Sequence, residues 1–309
     1  MAERNFADEL MRRIRERQSQ VVVGLDPRVN RLPEEILDAA DGPADAVLAF
    51  NRAVVDAVAE HAVAVKPQVA FYERLGCDGM RAYAETIRYA RDRDLLVIGD
   101  VKRNDIASTA AAYAAAHLGG PGDDQPAADD FHADAITINP YLGADGVRPF
   151  LEAASAAGRG LFVLVKTSNP SSVDVQDLDT RSASVYERVA DLVEGWGEPF
   201  RGDSGYSLLG AVVGATFPGE LAALRERMPH TPFLVPGFGA QGGGVEDVVP
   251  AFDVRGTGAV VNSSRGIIFA WQREPYDDEF GEARWRDAVA AAAADMRRDL
   301  WSATGGSGL

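Results

Sequence analysis

The sequence predicts an α/β fold of one domain over residues 1–309, closed into a (β/α)8 (TIM) barrel. Three observations carry that expectation. Eight short apolar runs alternate along the chain with segments of helical periodicity, the pattern of a parallel sheet. Several runs are apolar at consecutive positions, as strands buried on both faces are. Their ends are repeatedly charged or polar, and in a parallel barrel all such ends meet at one mouth. An open doubly wound sheet shares the alternation, but no G-x-G-x-x-G follows the first strand.

The elements follow in order. Residues 5–18 read as an N-terminal amphipathic helix with Phe6, Leu10, Met11 and Ile14 on one stripe. VVVGLDP (21–27) is the first strand, ending in Asp26. Pro33, Glu34 and Glu35 open a short helix, and residues 45–60 form another with Val47, Phe50, Val54 and Val58 inward. AVAVKPQVAFYE (62–73) is strand two, with Lys66 and Gln68 on one face, and a helix runs from Gly79 to Arg93. The central strand starts at Leu95 and leads into the Ala-rich helix IASTAAAYAAAH. GGPGDDQPAADDFH (119–132) is dominated by Gly, Pro and acid, so it reads as a solvated surface loop. AITINPYLG (135–143) is strand four, ending in Asn139. GLFVLVKTSNPSS (160–172) is strand five with a polar loop that VDVQDLD continues, before a helix at about 182–195. GWGEPFRGDSGYS is a second irregular insertion. SLLGAVVGATFP (207–218) is strand six, and a helix carrying Leu221 and Leu224 follows. PFLVPGFGAQGGG (232–244) is strand seven with a glycine-rich loop, and GAVVNSSRGI (258–267) is strand eight. A helical extension through Trp285 to Trp301 ends in a frayed ATGGSGL.

Bulk properties exclude several classes. A net charge of -16 argues against nucleic acid as a partner, since phosphate binding needs a basic footprint. That charge fits either a salty cytoplasm, where screening blunts self-repulsion, or the codon bias of a GC-rich genome. No run of transmembrane length and no signal-peptide core is present, so no membrane partner is expected. The single Cys77 excludes an internal disulfide and fits a reducing cytoplasm. The four histidines lack metal-ligand spacing, so no metal is expected.

The chemistry concentrates in LLVIGDVKRNDIAST (95–109). Strand alternation puts Asp100 and Lys102 on one face, and Asp105 follows past the strand end. Two carboxylates thus bracket one ammonium. The plainer alternative is a strand-end salt bridge with Asp105 as the N-cap of the next helix. Lysine usage weighs against it: Lys66, Lys102 and Lys166 are the only lysines, each follows an apolar run, and every other basic side chain but His is Arg. Lys, unlike Arg, can give up a proton. In a barrel Asp26, Lys66, Asp100, Lys102, Asn139, Lys166 and Ser168 would all converge on the C-terminal mouth. Taken singly, Lys66 equally suits a snorkelling lysine, Asp26 a turn before Pro27, Asn139 a turn before Pro140, and Lys166 a supporting role.

The last two loops, PGFGAQGGG from Pro236 and NSSRG with Ser264 and Arg265, sit where barrels commonly bind phosphate. Glycines admit backbone N–H groups to an anion, Arg265 offers a bidentate fork, and Gln241 lies where a loop folds over it. The alternative is that the glycines serve tight turns and Arg265 pairs with a carboxylate.

With these residues assembled, the chain resembles the orotidine 5′-phosphate decarboxylase family over nearly its whole length. DVKRNDI is similar to the family's D-x-K-x-x-D-I signature. TINPYLG, VKTSNP, PGFGAQGG, SSRGI and the GDSGYS insertion resemble its longer bacterial and archaeal branch. The resemblance implies Lys102 as proton donor, Asp100 as the carboxylate beside the reacting carbon, and Lys66 as the lysine completing an alternating charge array. It implies that Asp105, Ile106 and Thr109 reach a partner's site across a homodimer interface. It also implies a ribose contact for Asp26, a pyrimidine contact for Ser168, and phosphate contacts for Gln241 and Arg265. Asn104 stands where this branch usually has Gly; Asn tolerates left-handed backbone, so the turn survives. The implied reaction is loss of CO₂ from orotidine 5′-phosphate to give UMP, in the cytoplasm and without a cofactor, since no PLP or thiamine motif supplies an electron sink. The rivals are a Mg²⁺-dependent keto-sugar-acid phosphate decarboxylase or hexulose-phosphate synthase on the same barrel, and a non-catalytic nucleotide-binding barrel. The metal-dependent relatives place a carboxylate where Lys66 stands.

Overall fold

In the computed structural model, which describes residues 5–119, 131–215, 218–238 and 244–305, eight parallel strands close into a barrel in the order β1 to β8, with β8 pairing back to β1. The strands are β1 (Val21–Leu25), β2 (Ala64–Pro67), β3 (Leu96–Arg103), β4 (Ala135–Ile138), β5 (Gly160–Lys166), β6 (Leu209–Val213), β7 (Phe233–Pro236) and β8 (Ala259–Ser263). Around them run α1 (Phe6–Arg17), α2 (Glu34–Ala39), α3 (Pro43–Val58), α4 (Ala70–Glu73), α5 (Gly76–Asp92), α6 (Ala107–Leu118) and α7 (Ala144–Ala157). They continue with α8 (Val185–Gly197), α9 (Pro218–Arg227), α10 (Val245–Val248), α11 (Arg265–Ile268), α12 (Tyr276–Glu279) and α13 (Trp285–Ala303). Val47, Phe50, Val54 and Val58 all face the core, as their helical spacing predicts.

Several strands end earlier than their apolar runs suggest. β2 stops at Pro67 and Ala70–Glu73 coils into α4, because the Val69 N–H turns back to the Asp100 carbonyl at 3.3 Å and the helix starts there. β6 stops at Val213, and Pro218 opens α9, where its missing N–H costs nothing. The loop expected over 119–132 lies outside the described residues for 120–130.

The N-terminal helix closes the bottom of the barrel. Phe6 meets Phe162 edge to face at 6.0 Å, and Gly160 is glycine for that reason: a Cβ there would lie 2.2 Å from the Phe6 ring. The insertion after α8 is a clasp for this helix rather than part of the mouth. The Asp8 carboxylate accepts the N–H groups of Asp203 and Ser204, and Asn5 Nδ2 donates to the Phe200 carbonyl. The C-terminal extension begins as short turns before α13 and packs Trp271 and Trp285 against Phe50.

Candidate active site

The charged centre is built by two neighbouring strands. Lys66 leaves β2 opposite Gly24, and Asp100 and Lys102 leave β3. Asp100 is 6% exposed and Lys66 5%, yet both keep their charges because each satisfies the other. Lys66 Nζ donates to Asp100 Oδ2 at 2.6 Å, joined by Gln68 Nε2 at 3.0 Å. Lys102 Nζ donates to Asp100 Oδ1 at 2.5 Å, joined by the Thr137 hydroxyl at 2.8 Å. Burial opposes the charge on Asp100, but the two ammonium groups and their hydrogen bonds outweigh it and hold the carboxyl far below its usual range. Burial likewise opposes the charge on Lys66, and Asp100 and Asp26 together raise its pKa above the ordinary lysine value.

The order of charges differs from the expected one. Within the chain a single carboxylate stands between two ammonium groups; Asp105 does not bracket Lys102. Its Oδ1 accepts the Ile106 N–H at 2.8 Å, and it forms no ion pair among the described residues. Nor is it the N-cap: Ile106 occupies that position without a side-chain cap. The cause is a bulge. The β3–β4 register shifts between Gly99 and Arg103, and Lys102 takes a left-handed φ of 46° with its N–H on the Thr137 hydroxyl at 3.1 Å. Left-handed backbone in a non-glycine residue costs on the order of 1–2 kcal/mol, and here it aims the ammonium back at Asp100. Asn104 is not left-handed; Lys102 and Ala107 take the strain instead.

The triad edges a cavity of about 210 Å³ whose far wall is apolar: Leu164, Val212, Leu234 and Pro236. Thr137, Thr167, Ser168 and Asn169 supply hydroxyl and amide groups around it. Asp26 stands beside Lys66 electrostatically, with its Oδ1 buried and without a hydrogen-bond partner among the described residues. Ser264 packs so closely on Gly24 that a Cβ there would lie 1.9 Å from its Oγ. Arg265 is exposed at the same rim. Burial first, then repulsion from Arg28 and Arg265, lowers the pKa of Arg31, which marks a concentration of positive charge there.

Two residues expected at the mouth do not line this cavity. Lys166 turns away from the cavity, because the β5–β6 register slips between Leu164 and Lys166 and reverses the alternation. It pairs instead with Asp177 and lies 4.6 Å from the Tyr186 ring centre. Asn139 is a turn residue whose Oδ1 accepts the Tyr141 N–H at 3.0 Å. Ile106 and Thr109 lie exposed beside the mouth, and Gln241 falls outside the described residues. Thr137 was missed; the one hydroxyl in the apolar run AITI was its signal.

The model of the orotidine 5′-phosphate decarboxylase / HUMPS family matches residues 19–274. The chain belongs to this family. It is similar to an orotidine 5′-phosphate decarboxylase of Rhodopirellula baltica, 46% identical over 96% of this chain and 98% of that one. It is similar to another of Clostridium kluyveri, 38% identical over 95% and 96%. Among solved structures, OMP decarboxylase of Leishmania donovani superposes with a TM-score of 0.75 at 32% identity, over 97% of this chain and 99% of that one. The family match covers every strand of the barrel, so the charge array and the cavity both lie inside it.

Proposed function

We propose that this protein decarboxylates orotidine 5′-phosphate to UMP and CO₂, the last step of UMP synthesis. The observation that carries this reading is the Lys66–Asp100–Lys102 array set against an apolar wall. Loss of CO₂ from C6 leaves a carbanion with no carbonyl placed to delocalise it. The protein must stabilise that charge with fixed cations. Lys102 is the one ammonium of the array that is partly exposed, at 44% of its side chain, so it is placed to lie against C6 and then protonate it. Asp100 lies where the departing carboxylate would sit, and Lys66, buried behind it, holds that carboxylate ionised. An apolar cavity of 150 Å³ takes a benzene ring, so about 210 Å³ suits one substituted pyrimidine. Ser168 contacts the pyrimidine, Asp26 the ribose, and Ser264, Arg265 and Gln241 the phosphate, whose binding energy serves the reaction at the ring.

A homodimer completes the site. Asp105, Ile106 and Thr109 project from the rim, and Ile106 is 51% exposed beside the exposed Tyr141 and Leu142. An apolar surface of this kind suits a second copy, which would bring the second carboxylate to Lys102. The one cysteine favours a cytoplasmic setting, and among the described residues no helix is long and apolar enough to cross a membrane. The metal-dependent alternative is disfavoured by Lys66 itself: an ammonium 2.6 Å from Asp100 repels a divalent cation from that carboxylate.

A spectrophotometric assay with orotidine 5′-phosphate tests the reading. Turnover that is indifferent to EDTA is expected. Activity lost to EDTA and restored by Mg²⁺, or UMP binding without turnover, would overturn it.

A further inference from the structure

The end of β5 is held by something other than the barrel ladder. Its last ladder contacts are Lys166 opposite Val213 and the Gly214 N–H donating to the Lys166 carbonyl at 2.9 Å. Thr167, Ser168 and Asn169 then line the cavity beyond the end of the strand. A loop returns to hold them. Gln176 Oε1 accepts the Thr167 N–H at 2.9 Å, and Gln176 Nε2 donates to the Thr167 hydroxyl at 2.7 Å. That hydroxyl in turn donates to Asn169 Oδ1 at 2.7 Å.

Gln176 is itself anchored. Its N–H donates to the Ser172 carbonyl at 2.8 Å, and its carbonyl accepts the Tyr186 N–H at the start of α8 at 2.9 Å. The next residue, Asp177, pairs with Lys166, whose ammonium also lies 3.7 Å from Glu220. The lysine that leaves the cavity thus tethers the loop that shapes it. Ser168 packs closely on Gly214, which must lack a side chain for that approach: a Cβ there would lie 3.0 Å from both the Ser168 N and its Cβ. Its orientation is set from one side by that contact and from the other by Thr167.

We propose that Gln176 is a positioning residue for the base of the substrate: by clamping Thr167 through both atoms of its amide, it orients Ser168 toward the pyrimidine and leaves phosphate binding untouched. This rests on Ser168 being the pyrimidine contact. The physical basis is that a two-point amide clamp removes rotation about the segment, and ordering it beforehand spares that cost on binding.

The test compares Gln176→Ala, Gln176→Glu, Thr167→Val and Ser168→Ala in the full chain. Readouts are Kd for UMP and for ribose 5-phosphate, and KM and kcat for orotidine 5′-phosphate. Gln176→Ala should weaken UMP and raise KM by roughly tenfold, the loss of about one net hydrogen bond. Ribose 5-phosphate should stay within about twofold. Gln176→Glu should recover part of the loss: one carboxylate oxygen still accepts the Thr167 N–H, and the other accepts from the Thr167 hydroxyl once that proton turns away from Asn169 Oδ1. Thr167→Val keeps only the N–H bond and should fall between; it also decides the matter if Gln176→Ala does not fold. Equal losses for both ligands, or no recovery in Gln176→Glu, overturn the proposal. If Ser168→Ala weakens UMP selectively while Gln176→Ala and Thr167→Val do not, the clamp alone is wrong. If Ser168→Ala has no selective effect, the pyrimidine contact is wrong.

Discussion

Asp100→Asn is the sharpest single perturbation available in this molecule. It keeps the volume of the side chain and removes only its charge and half of its accepting capacity. Asp100 accepts from Lys66 and Gln68 on one oxygen and from Lys102 and Thr137 on the other. An amide has one oxygen, so its NH₂ must face one of these donor pairs. The side of Lys102 yields more easily, because that side chain is half-exposed and can swing into water. Lys66, at 5% exposure, cannot. It would be left buried against a neutral oxygen. Breaking a buried ion pair from one side costs about 3–5 kcal/mol, and urea unfolding followed by tryptophan fluorescence at pH 7 measures it. The double variant Lys66→Met with Asp100→Asn removes the stranded charge and should recover about 1–3 kcal/mol in the cycle. The pH dependence follows from the shifts. Asp100 titrates lower when folded than its unfolded value of 3.8, so its contribution is present above that pH and is lost as pH falls below it. Lys66 titrates higher when folded than 10.5, so its contribution is present below that pH and is lost as pH rises through the folded value. The gap between wild type and Asp100→Asn should therefore be flat near neutrality and narrow at both extremes. A gap under about 1 kcal/mol at pH 7 would refute the reasoning, since that is the worth of an exposed pair. So would a gap that does not narrow below pH 3.8.

Further expectations follow from particular contacts. Lys102→Ala should lower kcat by at least about 10⁴-fold, combining the proton donor and the electrostatic contribution, while UMP titration shows binding largely retained; appreciable turnover would remove Lys102 from the proposed role. Burial holds the His117 imidazole near a pKa of about 4, against 6.5 in the unfolded chain, so acid favours unfolding through this residue. Between those pH values wild type should lose on the order of 3 kcal/mol more than His117→Leu in paired urea melts, and equal losses would contradict it. Gly160→Ala should destabilise by about 1–3 kcal/mol by pushing the Phe6 ring off the barrel floor, read as a lowered Tm; an unchanged Tm would mean α1 accommodates the methyl freely.

The sequence by itself determined the barrel and most of the chemistry. Apolar runs alternating with amphipathic helices specify a parallel sheet, because strands buried on both faces must be wrapped by helices, and the count of eight favours the closure that the structure shows. The restriction of lysine to three strand ends marked Lys66 and Lys102, and the spacing of Asp100 and Lys102 marked them as neighbours. Alternation predicts a face only while the ladder keeps its register, and here two ladders do not. The slip in β5 turned Lys166 outward, and the bulge in β3 put Lys102 in left-handed backbone while leaving Asp105 at the rim. Contacts between distant segments were equally out of reach: Thr137 on Asp100 joins positions 37 apart, and Gln176 returns to Thr167 on a loop tied back by the Lys166–Asp177 pair and the Tyr186 N–H. Tertiary structure alone decided those, since a local rule cannot foresee where a register slips or which loop comes back.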